Sequence, residues 1–246
     1  MFQQKPAFKL GVVIYFALIW VVFSVPALAG VAPSTAEADA NKKGADKTAA
    51  EVQDEASAER QEAITVYNEG VAALEAEDLP TALEFFLKAS EIDADFPEAW
   101  NAAAAMAMEL KDFQTAADAA EEILRLQPDN TDAMGTAYFA ELMIGDIDRM
   151  IPSARRLADV SPEMVSNEML QHAQVLFDDD ELVGSRALLE VILEREPELA
   201  PAYLQLGLTC NMQGDVECAK QALTRFLEIA PDDPDAAIAQ SLLDYL

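Results

Sequence analysis

Four prolines, Pro128, Pro162, Pro197 and Pro231, recur at intervals of 34, 35 and 34 residues. Self-similarity at such a period ties a chain to a stack of like units, each contacting only its neighbours. Other marks keep the same beat. Gly70, Ala104, Ala173 and Gly207 each stand ahead of a turn, and twelve residues after them come Ala82, Ala116, Ser185 and Ala219. Between the two small positions lies an acid-containing turn: Glu77-Asp78, Lys111-Asp112, Asp180-Glu181 and Gly214-Asp215. Ile64, Tyr67, Val71 and Leu74 fall at helical spacing, as do Leu83, Phe86 and Leu87. Helices this short are marginal alone, so they must bury their apolar faces by stacking. Asp78 and Asp112 are placed to cap the second helix of a pair.

These marks resemble the tetratricopeptide repeat, whose small residues sit where two antiparallel helices cross closest and whose proline ends the second helix. The resemblance covers about residues 63–233, as repeats near 63–96, 97–130, 131–165, 166–199 and 200–233. Trp100 stands at the family's aromatic position, Tyr203, Leu206 and Gly207 repeat the pattern in the fifth unit, and Phe86 and Leu223 fill the large apolar position of the second helix. The resemblance implies an all-α fold, a right-handed α-solenoid of about five helix pairs. Residues 234–246 read as a helix covering the last pair. The third repeat departs from the pattern, with Tyr138 and Met150 at the small positions and Pro152 early in the second helix. Wider helix spacing or a kink is expected there. The fourth repeat carries one extra residue, expected near Asp178–Glu181.

The N-terminus has the order of a secretory signal. Lys5 and Lys9 precede an apolar run from Leu10 to Phe23, followed by Pro26 and by Ala27 and Ala29 as the small residues of a cleavage site. Residues 1–29 are therefore expected to be a signal peptide, leaving the protein periplasmic or secreted. An uncleaved N-terminal anchor facing the periplasm is the alternative, and it alone gives the chain a membrane contact. Residues 30–56 hold almost no large apolar side chain and read as a flexible tether. Ser57 reads as the first helix cap.

The chain carries 45 acidic residues against 16 Lys and Arg, for a net charge of −29. That surface repels phosphate backbones and disfavours nucleic acid. No Gly-rich phosphate loop occurs, and His172, the single histidine, has no triad or HExxH spacing around it. His172 reads as structural. Asp178-Asp179-Asp180-Glu181 lacks the alternating ligands and glycine of a calcium loop, and reads as a solvated turn with Asp capping. No metal, cofactor or catalytic residue is assigned. Cys210 and Cys218 stand eight residues apart across a turn centre. They are candidates for a disulfide in an oxidising compartment, the alternative being two buried thiols.

Function then falls to the surface that the family resemblance makes concave. Mapped onto this sequence, it includes Tyr67, Leu74, Asn101, Met108, Phe139, Leu142, Met143, Leu170, Gln174, Phe177, Leu204, Leu208, Asn211 and Met212. The same residues read equally as core against the next repeat. Glu75, Glu98, Glu109, Asp132 and Asp178 flank them, and none of the mapped positions is basic. A protein partner with apolar anchors and basic flanks fits such a face better than an acidic tail. An envelope adaptor or scaffold is the first reading. An assembly chaperone is the second, and a metal-dependent or catalytic protein the least favoured. Oligomeric state is not legible.

Overall fold

The prolines that set the period each lie just beyond a helix end. A computed structural model describes residues 49–246. The expected signal peptide with Ala27 and Ala29, and most of the expected tether, lie outside the described residues. Five helix pairs follow one another: α1 (Ala49–Glu75) with α2 (Leu79–Ile92), α3 (Pro97–Glu109) with α4 (Phe113–Leu126), and α5 (Thr131–Ile144) with α6 (Ile147–Val160). In the fourth pair a short α7 (Pro162–Met164) runs through a π turn (Val165–Met169) into α8 (Leu170–Asp178), which pairs with α9 (Leu182–Arg195). α10 (Ala200–Gln213) pairs with α11 (Val216–Ile229), and α12 (Ala236–Tyr245) closes the stack. First helices meet first helices (α3 with α5, α8 with α10), and α6 meets α9. The fold is the all-α solenoid of five pairs and a cap that the resemblance implies.

Helix ends obey local chemistry. Gln127, Ser161, Glu196 and Ala230, each preceding a proline, leave the helical region with ψ between 64° and 79°. Proline imposes that on its predecessor and stops the helix. Asp78, Asp112, Asp146 and Asp215 cap the second helices by accepting the N–H three residues on, and Asn130 does the same for α5. Such caps contribute about 1 kcal/mol each. The first helix corrects the sequence reading: it begins at Ala49, and Ser57 lies inside it rather than at its cap. Residues 49–62 are mostly Ala and Glu, and extending a helix already anchored by packing needs no new nucleus.

The extra residue of the fourth repeat is also not where the sequence placed it. The backbone turns left-handed at Glu77, Lys111, Gly145, Asp180 and Gly214. From Pro128 to Gly145, and from Pro197 to Gly214, is 17 residues, but from Pro162 to Asp180 is 18. The surplus therefore sits in the first helix, and the π turn at Val165–Met169 absorbs it. A π turn takes one additional residue without breaking the helix. Beyond it Ala173 is back in register, twelve residues before Ser185. The Ser185 hydroxyl donates to the Ala173 carbonyl at 2.8 Å, tying the two small positions together.

The third repeat keeps its packing by exchanging volumes. Adding a Cβ at Gly70 would bring it within 2.7 Å of the Phe86 ring, and at Gly207 within 2.6 Å of Leu223 Cγ. Phe86 and Leu223 each lie sixteen residues after their glycine. The residue in that position after Tyr138 is Ala154, and both are buried in one core cluster with Met150. A large residue on the first helix and a small one on the second thus share one core, the reverse of the sizes in the first and fifth pairs. Volume-conserving exchange is what close-packed interiors tolerate. Pro152 lies inside α6, which runs on past it to Val160.

All eight arginines of the described residues are ion-paired, mostly between neighbouring repeats. Arg149 meets Asp118 at 3.1 Å, Arg155 meets Glu194 at 2.9 Å, Arg195 meets Asp159 at 2.6 Å and Arg186 meets Asp215 at 2.8 Å. Arg60 and Arg125 clasp the α2–α3 turn through Asp93 and Asp95, and Arg156 and Arg225 pair with Glu121 and Glu198. Exposed pairs of this kind contribute little each. Their larger effect is to neutralise the cations, so the surface presented to a partner is acidic.

The last pair is covered by α12, where Ala239 is fully buried against Leu223 and Phe226. Cys210 on α10 and Cys218 on α11 form a disulfide across this pair, with Cα atoms 5.8 Å apart. Closing so short a loop restricts the unfolded chain by about 2–3 kcal/mol in the chain-entropy view. A Cys210→Ala/Cys218→Ala variant should unfold with a stability lower by that amount under oxidising conditions, and match the parent under reducing ones. Equal stability in both conditions would mean the bridge contributes nothing.

Candidate functional site

The inner faces of α8 and α10 meet along a cavity of about 280 Å³. Leu170, Gln171 and Gln174 line it from α8, and Pro201, Leu204 and Gln205 from α10. Leu170 is the first residue after the π turn, so the bulge sets the phase at which α8 offers this face. Leu170 and Leu204 are half-buried, and Gln174 is exposed with its side-chain amide donating to Asp178 at 2.8 Å.

Gln205 is the unusual member. It is only 8% exposed, and its Nε2 has no hydrogen-bond partner among the described residues. Beside it, Thr209 donates to the Gln205 backbone carbonyl at 2.8 Å and lies 3.5 Å from Ser185 of α9. An unmet amide donor in a partly apolar wall costs stability until an acceptor arrives. A peptide carbonyl is such an acceptor.

The mapped groove residues divide. Leu170, Gln174 and Leu204 gather around the cavity. Tyr67 and Leu142 do not belong to the surface: both are buried. Tyr67 packs on Phe86 and Phe96 with ring centroids 5.1 and 5.4 Å away, because its helix turns that face toward α2 and α3. Leu74, Met108, Phe139, Met143, Phe177, Leu208 and Asn211 are half-buried, while Asn101 and Met212 are exposed. Asn101 donates to the Pro97 carbonyl of its own helix. The five flanking acids Glu75, Glu98, Glu109, Asp132 and Asp178 are all exposed. Gln171, Pro201 and Gln205 were missed. Gln205 had a signal, being a polar side chain at a position the helical pattern turns inward.

The other singled-out residues have structural settings. His172 Nδ1 and the Tyr138 hydroxyl are 2.8 Å apart, with the Phe139 ring edge beside them. Desolvation lowers the imidazole to about 4, so it is neutral near pH 7 and shares a hydrogen bond with the tyrosine hydroxyl through Nδ1. Desolvation likewise pushes the Tyr138 phenol well up. The Asp178–Glu181 stretch is an exposed turn, and its N-cap Glu181 makes no side-chain cap bond, against the expected Asp capping. No cluster among the described residues could hold a metal ion, and no helix among them is long and apolar enough to cross a membrane.

Residues 200–233 match the family model of the tetratricopeptide repeat. Curated proteins give no match. Among solved structures the chain is similar to YrrB, described as a TPR protein with an unusual peptide-binding site, at 22% identity over 73% of this chain and 92% of that one, with a TM-score of 0.42. It is also similar to MamA from Desulfovibrio magneticus RS-1, at 17% identity over 70% and 97% with a TM-score of 0.41. TTC0263 of Thermus thermophilus, a thermophilic TPR protein, aligns at 18% identity over 75% and 100% with a TM-score of 0.35.

Proposed function

We propose that this chain, a tetratricopeptide repeat protein, is an adaptor of the periplasm or cell envelope that holds an extended segment of a partner protein at the junction of its fourth and fifth repeats. The unpartnered Gln205 amide in the cavity between α8 and α10 carries this reading. Leu170 and Leu204 supply apolar contact, Gln205 meets a backbone carbonyl of the guest, and the exposed acids favour basic residues at its flanks. The envelope location rests on the N-terminal signal pattern and on the disulfide, which suits an oxidising compartment. N-terminal sequencing of the protein recovered from the envelope fraction should begin at Gly30; an intact Met1 would leave the anchored form.

Partner binding is tested by affinity capture from crosslinked cells, followed by titration of the captured segment. Gln205→Met removes an unmet donor, so thermal stability should stay level or rise while affinity falls about tenfold. Leu204→Asp should abolish capture. Unchanged affinity in both would remove the site. Recovery of many unrelated unfolded proteins in place of one stoichiometric partner would make the protein a chaperone.

A further inference from the structure

The opposite, second-helix side of the stack carries a different kind of cavity. It holds about 460 Å³ and is lined by Glu121 of α4, Glu141 of α5, and Asp148, Arg149, Pro152, Ser153 and Arg156 of α6. Glu141 is 1% exposed. One of its carboxylate oxygens faces Arg149 Nε at 3.3 Å, and the other, Oε2, has no partner. Burial of a carboxylate without full pairing is costly, and structures retain it where something else completes the set.

The charges facing this cavity do not balance. Arg149 is engaged by Asp118 and Glu141. Arg156 is engaged by Glu121 and by the Ser153 hydroxyl, and only its Nε is unpartnered. On the acceptor side stand Glu141 Oε2 and the Asp148 carboxylate, which no described residue pairs. Pro152, which also lines the cavity, has no N–H to offer either acceptor. Three acidic and two basic side chains line the cavity, leaving one net negative charge, and Glu141, its most buried carboxylate, is incompletely paired, so the cavity suits a cationic guest that carries N–H groups.

We propose that this cavity is a second binding site, separate from the groove, that takes a primary ammonium group such as a lysine side chain or a small aliphatic amine. The ammonium sits between the Glu141 and Asp148 carboxylates, and its alkyl stem lies along the Pro152 ring. The site is independent of the peptide reading for α8 and α10. Burial pushes the Glu141 carboxyl up despite Ser153, Arg149 and Arg156, consistent with an anion short of one counter-charge.

The side-chain Nε–H signals of Arg149 and Arg156, followed by nuclear magnetic resonance on the full chain at constant ionic strength, test this. Nα-acetyl-lysine N-methylamide should shift them saturably, and tetramethylammonium, a cation without N–H, should not. Asp148→Asn, at an exposed position, should weaken the titration midpoint about tenfold, and Glu141→Gln should abolish saturation. Leu204→Asp should leave the titration unchanged. Putrescine tested alongside separates the two sources: binding of the lysine derivative alone assigns the site to a protein side chain, and binding of both admits free amines. Equal shifts from tetramethylammonium, or an Asp148→Asn variant that titrates like the parent, would overturn the proposal.

Discussion

A Gly207→Val variant is expected to lose about 3 kcal/mol or more of stability, with the loss centred on the last repeat. Even a methyl at Gly207 would lie 2.6 Å from Leu223 Cγ, 2.7 Å from its Cδ2 and 3.4 Å from its backbone nitrogen. Leu223 cannot swing aside, since it is fully buried against Phe226 and Ala239 under α12. Relief must therefore come from separating α10 and α11, which also strains the Cys210–Cys218 connection between them. Leu223→Ala alone should cost about 3 kcal/mol by leaving a cavity. The two changes together should cost clearly less than their sum, because the valine fills the space the leucine leaves. Tyr138 and Ala154, buried in one core cluster at the corresponding positions of the third pair, have the reversed sizes. Denaturant unfolding of the four proteins measures the coupling. Additive losses in the double variant would mean that the helix spacing, and not the paired volumes, sets the crossing.

Lowering the pH from 7.5 to 4 should remove about 3 kcal/mol of stability through His172 alone. In the unfolded chain the imidazole titrates near its ordinary 6.5, whereas burial lowers it to about 4 in the fold. Between those values the unfolded state binds a proton that the native state refuses. The contribution is complete above pH 6.5, declines as pH falls toward 4, and is flat below. Protonation also places a charge on a ring buried against the Tyr138 phenol. His172→Gln keeps an acceptor for that hydroxyl but has no titration. The difference between parent and variant stability, followed across this range, isolates the histidine from the many surface carboxylates. A difference that does not change with pH would show that the ring is solvated in the folded protein.

The helix pairs were legible because their signals are local. Proline acts on the residue before it, aspartate reaches the N–H three residues on, and a left-handed turn needs only its own backbone. These effects set the helix ends almost regardless of what packs around them. The extra residue of the fourth repeat was legible in number but not in place, since periodic marks bound an insertion without saying which turn absorbs it. The left-handed positions in the structure locate it in the first helix, where the π turn restores Ala173 to its partner Ser185. The groove was half legible. Position in the repeat shows which side of a helix Leu170 and Leu204 take, but not that the Tyr67 and Leu142 faces are closed by a neighbour.

What the sequence determined by itself is thus the all-α repeat architecture, the capping and the facing cysteines, because each depends on interactions within a few residues or on strict periodicity. Tertiary structure alone decided which large and small residues share one core, and where Gln205 and Glu141 are left short of a partner. Those properties arise between separate helices, where side chains compete for one volume and one set of hydrogen bonds.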